Sequence, residues 1–489
     1  MAGSGVESSE GSGVPRPVPG SYGRFPHISA LRDRLDFYYF QGQDKYYESR
    51  AEKYGSTVIR INMPPGLFMA PDARVVALLD SKSFPVLFDT TKVEKKNIFG
   101  TYSPSLSLSG GHRTCANLDP SEPTHAKVKK LLFTILASRK DVVIPAFHSH
   151  FSSLLAFLES QLVLGGKSNF NTLNDATSFE FICDVYFGVL PSASGLGTTG
   201  PNKAAKWLMA LLHPVATLGL PMILEDLLLH TVHLPPFLVS GDYKALYKYF
   251  SAAAAASEAL DAADRIGLPR DEACHNLVYA TLLNSYGGLK VLLPGILARV
   301  ADAGEKFHKM LAAEIRAGVA DAGGKVTMAA LEKMELTKST VWEVLRMDPP
   351  VKDQFGRAKA DLNIESHDGV VFAVKKGELL FGYQPMATRD PRVFGSTAKE
   401  FVGDRFVGEE GRKLLPYLYW SNGRETENPS VDNKQCPGKN LILLVGRLLL
   451  VEVFLRYDTF SANISKGMFG TAEIEFTGVT KATSGPGTA

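Results

Sequence analysis

One short segment restricts what this chain can become. Residues 420–439, WSNGRETENPSVDNKQCPGK, place a single cysteine, Cys436, between Gln435 and Pro437, with Gly438 next. A mostly apolar run then extends from Leu441 to Leu455. Leu441, Leu444, Val445, Leu448 and Leu449 recur at helical spacing, which predicts a buried helix beginning just past the cysteine. A thiolate at a helix N-terminus is stabilised by unpaired amides and by the helix dipole. Taken alone, a cysteine in this position is more commonly a small buried hydrophobe.

Two further segments change that balance. Glu343 and Arg346 form a Glu-x-x-Arg pair in a helical stretch, which puts opposite charges on one face. FVGDRF, residues 401–406, lies between that pair and the cysteine and supplies Arg405. In this order and spacing the three segments resemble the cytochrome P450 superfamily, in which a cysteine thiolate is the axial ligand of haem iron. The cysteine loop departs from the ordinary pattern. Trp420 and Gly423 come early, and an insertion separates them from Lys434 and Cys436. With Asn433-Lys434-Gln435-Cys436, this long loop is similar to the plant fatty-acid hydroperoxide branch: allene oxide synthases, hydroperoxide lyases and divinyl ether synthases. The resemblance runs from about Pro15 to the end. It implies a mainly α fold with a large helical lobe and a small β-rich lobe, formed by one haem-thiolate domain over residues 15–489. It also implies haem b as cofactor and Cys436 as its metal ligand.

Composition agrees with such a domain. Apolar residues make up 45% of 489, ordinary for a chain with a large core. A net charge of +2 points to neither nucleic acid nor an acidic partner. Cys115, Cys183, Cys274 and Cys436 are far apart with no C-x-x-C pair, so neither a zinc site nor a disulfide framework is suggested. The first residues, MAGSGVESSEGSG, read as a flexible tail over residues 1–14. They carry glutamates and no early arginine, unlike a signal or transit peptide, so a cytosolic protein is expected. The plastid is the alternative if a leader precedes this sequence.

Alternation over residues 56–63 predicts a strand. Pro64-Pro65-Gly66 predicts a turn, residues 67–70 a second strand and residues 72–79 a short helix. Residues 92–113 are rich in Gly and Ser and predict a loop over the haem face. Within it, the resemblance gives Lys95 a haem propionate and sets Phe99 over the substrate pocket, where lyases of the branch commonly have leucine. Ala116 stands where many allene oxide synthases have serine and lyases often have alanine. Further on, Asp119-Pro120 and Ser121-x-Pro123 signal a helix start. His125 and Lys129 then share one face. By resemblance they replace a propionate-clamping Trp-x-x-x-Arg; Lys127 and Lys130 read as a solvated face.

Residues 142–265 predict mostly helix. Residues 207–224 are apolar but interrupted by His213, Pro214, Gly219 and Pro221, so a bilayer span is not expected. A buried helix and a lipid-gating segment resting on a membrane surface both stay open. Residues 252–263 predict an alanine-rich helix, 369–385 hairpin strands and 473–477 a last strand.

The second informative stretch is residues 280–289, ATLLNSYGGL, which by resemblance cross the haem. Monooxygenases usually carry an acid and a threonine there to deliver protons to bound dioxygen. Here no carboxylate occurs between Glu272 and Asp302, and Asn284-Ser285-Tyr286 occupies the place. Asn284 is neutral and can orient a hydroperoxide without supplying a proton. The resemblance therefore implies an allene oxide synthase acting on polyunsaturated fatty acid hydroperoxides, with no redox partner. A hydroperoxide lyase is the alternative. An NADPH-dependent monooxygenase and a non-catalytic haem protein are the readings from other classes.

Overall fold

The computed structural model describes residues 14–66, 68–70, 72–97, 101–467 and 470–483. Most of the chain is helical. The helices that frame the interior are α1 (Pro123–Ser138), α2 (Val143–Gly165), α3 (Phe170–Phe187), α4 (Gly200–Leu212), α5 (Ser240–Ala256), α6 (Arg270–Tyr279), α7 (Gly287–Asp321), α8 (Glu335–Met347) and α9 (Lys439–Arg456). A π-helical turn, Ala280–Tyr286, joins α6 to α7. Gly304, with φ +79°, breaks α7 into two helical pieces.

The helix expected after Cys436 is α9. From Leu444 to Phe454 every residue is buried, as expected of a helix that is apolar all round. Two of them are ionisable: Arg447 reaches Glu332 at 2.8 Å and Glu452 meets His148 at 2.7 Å. α9 packs against α7, α8 and α2. At Gly446 a Cβ would lie 2.9 Å from Val341 Cγ1 and 3.1 Å from Ile296 Cδ1, so the close approach of α7, α8 and α9 requires glycine. α2 is long and apolar enough to cross a membrane by composition, yet its Phe147, Phe151, Leu155 and Leu158 are buried in the core.

Three sheets accompany the helices. The largest has strand order β2-β3-β9-β6-β4, from β2 (Val58–Asn62), β3 (Arg74–Leu78), β4 (Val93–Glu94), β6 (Asp353–Ala358) and β9 (Leu379–Tyr383). β3 lies parallel to β9, with Val76 beside Leu380, and antiparallel to β2. A second sheet joins β1 (Arg16–Pro17), β8 (Val371–Val374) and β7 (Leu362–Glu365). The third joins β10 (Tyr457–Lys466), β11 (Ala472–Lys481) and β5 (Ser168–Asn169).

Several local expectations are corrected. Residues 72–79 are not a helix: they contain β3, a central strand buried along Val75–Leu78. A five-residue apolar run covered on both faces has no period that separates strand from helix. Of the strand expected at 67–70, Leu67 lies outside the described residues and residues 68–70 form no strand. β8 and β9 both exist within 369–385 but belong to different sheets, so they do not pair as a hairpin. The alanine-rich segment is split where Glu258 adopts φ +61°. The last strand is longer than expected and pairs with β10, which the reading of the sequence missed.

The Glu-x-x-Arg pair on α8 is fully buried. Arg346 Nε and Nη2 each lie 2.7 Å from the Glu343 carboxylate, and Arg405 Nε lies 3.0 Å from Glu343 Oε1. The Val402 amide donates to the same oxygen at 2.9 Å. Arg346 also donates to the carbonyls of Thr388 and Ala398 at 3.0 and 2.7 Å. Removing one partner of such a cluster strands the others. Glu343→Ala should therefore cost about 3–5 kcal/mol, read as a lower denaturant midpoint by circular dichroism; an unchanged midpoint would remove the cluster from the account of stability.

Candidate active site

Cys436 sits at the end of the inserted loop, three residues before Lys439, the first residue of α9. Its amide donates to Ser421 O at 2.8 Å. The loop is held by its own amide side chains: Asn422 Nδ2 donates to Lys434 O at 3.0 Å, and Gln435 Nε2 to Arg424 O at 2.8 Å. Burial pushes the Cys436 thiol up from its ordinary pKa, against the Gly438 amide and the charge of Lys129. The helix-terminal stabilisation expected from the sequence is thus present but smaller than the desolvation, and a thiolate here calls for a further positive partner.

Cys436 and Asn284 line one cavity. Leu132, Ile135 and Leu136 come from α1, Tyr186 from α3 and Leu277 from α6. Ala280, Thr281, Asn284 and Ser285 come from the π turn, and Pro437, Gly438, Leu441 and Ile442 from the start of α9. The π turn is widened by one residue; Ser285 Oγ donates to Ala280 O at 3.0 Å, five residues back. Ser285 Oγ also meets Tyr186 OH at 2.8 Å. Asn284 is exposed to the cavity. Tyr186 and Thr281 are lining residues that the sequence did not reveal. Thr281 Oγ1 is buried with no hydrogen-bond partner among the described residues.

Three lysines and a histidine gather beside the loop. Lys95 and Lys129 are buried, as is His125, and Lys434 is half-buried. Lys95 Nζ donates to Asn422 Oδ1 at 2.6 Å, and Lys434 Nζ to the carbonyls of Cys115 and Leu118 at 2.7 and 2.8 Å. Lys129 Nζ donates to Asn433 Oδ1 at 3.0 Å, and His125 Nδ1 meets Val431 O at 3.1 Å. His125 and Lys129, one turn apart on α1, thus brace the inserted loop. Among the described residues, neither Lys95, Lys129 nor Lys434 has a carboxylate in ion-pair range. Burial, assisted by the charge of Lys434, brings Lys95 down to about 7. Burial likewise brings Lys129 to about 8, and His125 to about 4, where it is neutral at pH 7. Positive charge buried without counter-charge is costly. A group carrying two carboxylates and a thiolate-binding metal would relieve the cost, so these residues fit haem. Phe99 lies outside the described residues. Lys127 donates to Gly267 O at 2.9 Å from the exposed face of α1.

The fold and the cysteine site define a haem-thiolate protein, and the family model for "Cytochrome P450" matches residues 305–461. Allene oxide synthase 2 of Oryza sativa subsp. japonica is 71% identical over 96% of this chain and 98% of its own length. Allene oxide synthase 1, chloroplastic, of Solanum lycopersicum is 52% identical over 93% of the chain and 84% of its own length. The Arabidopsis thaliana "Allene oxide synthase, chloroplastic" is 49% identical over 96% and 89%. This chain belongs to the allene oxide synthase family of the cytochromes P450.

The names correct one expectation. Two tomato relatives and the Arabidopsis relative are named chloroplastic, which points to the plastid rather than the cytosol. The composition of the first residues bears on a leader and not on the compartment.

If the buried lysines balance haem carboxylates, Lys95→Met should weaken haem retention by about 10- to 150-fold, the worth of one charge-assisted hydrogen bond of about 1.5–3 kcal/mol. The rate of haem transfer to apomyoglobin checks this, and an unchanged rate would clear Lys95 of the role.

Proposed function

We propose that this chain dehydrates polyunsaturated fatty acid hydroperoxides to allene oxides, feeding oxylipin synthesis, with no dioxygen, NADPH or redox partner. The observation that carries the reading is an amide, not an acid, in the cavity shared with Cys436. Haem, when bound, supplies a thiolate-held ferric iron able to cleave a weak O–O bond homolytically. Cys436 is the residue proposed to hold that iron, and Lys95, Lys129, Lys434 and His125 to seat the cofactor. Asn284 offers one acceptor and two donor hydrogens, enough to orient a hydroperoxide by hydrogen bonds without protonating it. Leu132, Ile135, Leu136 and Leu277 supply apolar walls that exclude water and suit an acyl chain. Phe99 is proposed to favour the dehydration branch over chain cleavage. An aromatic face stabilises developing positive charge by roughly 0.5–2 kcal/mol, and about 1.36 kcal/mol is tenfold in rate.

The test is consumption of defined hydroperoxide isomers without NADPH, followed by diene absorbance and product chromatography. Wild type should form allene oxide hydrolysis products. Asn284→Ala should lose about 100-fold in kcat/KM, as for a lost positioning group. Phe99→Leu should raise the aldehyde share. A requirement for NADPH would sink the reading, and unchanged products from Phe99→Leu would remove that residue from it.

We further propose that one face rests on a membrane surface. Helix Pro26–Leu35 packs beside the turn around residues 226–231: Arg34 pairs with Asp226 at 2.6 Å, and the Tyr38 and His230 rings stack at 3.7 Å. These neighbouring segments expose Phe25 (62%), Ile28 (68%), Ile223 (80%) and Leu227, with Phe237 (73%) further on. Apolar side chains so arranged suit the headgroup boundary of a bilayer. Combined Ile28→Ser, Ile223→Ser and Phe237→Ser substitutions should abolish co-flotation with phospholipid vesicles; equal flotation would refute the contact.

A further inference from the structure

A second cluster of ligating side chains lies outside the cavity. His112 follows the short helical turn Leu106–Ser109, while Asp271 and His275 sit one turn apart on α6. His112 Nε2 is 2.9 Å from Asp271 Oδ2, and His275 Nε2 is 3.6 Å from Asp271 Oδ1. One ligand atom from each residue lies within 4.8 Å of the other two. We propose that His112, Asp271 and His275 form a site for a single divalent transition-metal ion of the zinc type. This site is independent of the haem and of the function proposed above.

The geometry suits such an ion. Nitrogen and carboxylate ligands at about 2.0–2.2 Å from a tetrahedral ion stand roughly 3.3–3.6 Å apart, within small side-chain rotations of the present separations. Two imidazoles and one carboxylate select zinc and its neighbours over magnesium or calcium, which favour oxygen ligands. The ligands are also held in orientation. Tyr243 OH lies 2.7 Å from His275 Nδ1; with that nitrogen bonded to the hydroxyl, Nε2 is left facing the cluster. Tyr247 OH donates to Asp271 Oδ1 at 2.6 Å. His275 is wedged against the backbone at Gly110, where a Cβ would lie 2.0 Å from His275 Cε1. The remaining side is open: the side chains of Asp271 and His112 are 62% and 31% exposed, leaving room for water as a fourth ligand. A bound ion would clamp the turn at residue 112 to the helix that runs into the π turn bearing Asn284.

The test uses the tag-free holoenzyme, equilibrium dialysis against zinc and elemental analysis of zinc and iron in the same sample. The expected result is one zinc per haem iron, with His112→Ala and Asp271→Asn each weakening binding at least about tenfold and Tyr243→Phe by about tenfold. An unchanged Soret band and far-ultraviolet circular dichroism establish that each variant is folded; should His112→Ala lose haem, His112→Gln replaces it. Zinc uptake far below one per iron would overturn the proposal. So would stoichiometric zinc that survives both substitutions, since the cysteines or other histidines would then be the ligands.

Discussion

The carboxylate of Glu343 is the point from which the order of the site derives. It accepts from two guanidinium groups and one amide in the same buried volume. Arg346 extends this to the carbonyls of Thr388 and Ala398, and Arg405 to Thr397 O at 2.8 Å. Helix α8 is thereby tied to the irregular segment that leads into the cysteine loop. That segment contains few long elements, so regular backbone hydrogen bonding cannot hold it. Charge does so instead, and the desolvation is repaid because every polar atom of the carboxylate has a partner.

Around Cys436 the electrostatic arrangement is the opposite. Lys95, Lys129 and Lys434 are satisfied by neutral oxygens, from amides and carbonyls, and not by acids. Their hydrogen bonds hold these side chains in place, and burial without a counter-charge brings Lys95 and Lys129 well below the ordinary lysine range. If these residues seat the haem, as proposed above, a set of side chains so preorganised would lose little entropy when the anionic cofactor arrives. The same economy is seen across the cavity, where the π turn offers an amide at Asn284 and links Ser285 to Tyr186.

What the sequence made legible follows from how local each signal is. The buried helix α9, the start of α1 at Pro123 and the Glu343–Arg346–Arg405 cluster rest on residues that are close in sequence or chemically unusual for their surroundings. Asn284 stood out for the same reason, as an amide in an apolar helical stretch without acids. β3 is hard to read because its Val75–Leu78 stretch is short, apolar and covered on both faces. β8 and β9 were paired wrongly because neighbours in sequence need not be neighbours in a sheet, and β9 lies instead between β3 and β6. Tyr186 and the braces at Asn422 and Asn433 depend on contacts across roughly a hundred residues or more. The same is true of His112 and Asp271, which are 159 positions apart. No spacing rule reaches that far.

The widened turn at Ala280–Tyr286 acts as a phase shift in the helix. Each residue of an α-helix advances by about 100°, so one extra residue in a turn rotates everything on one side of it relative to the other. Which side chain faces the cavity shared with Cys436 is therefore set by a count of residues as well as by their identity. A single deletion in this turn would restore a regular helix and bring a different neighbour to the place of Asn284. The chemistry of such a fold can thus be re-indexed by a change in length, with no change in the composition of its walls.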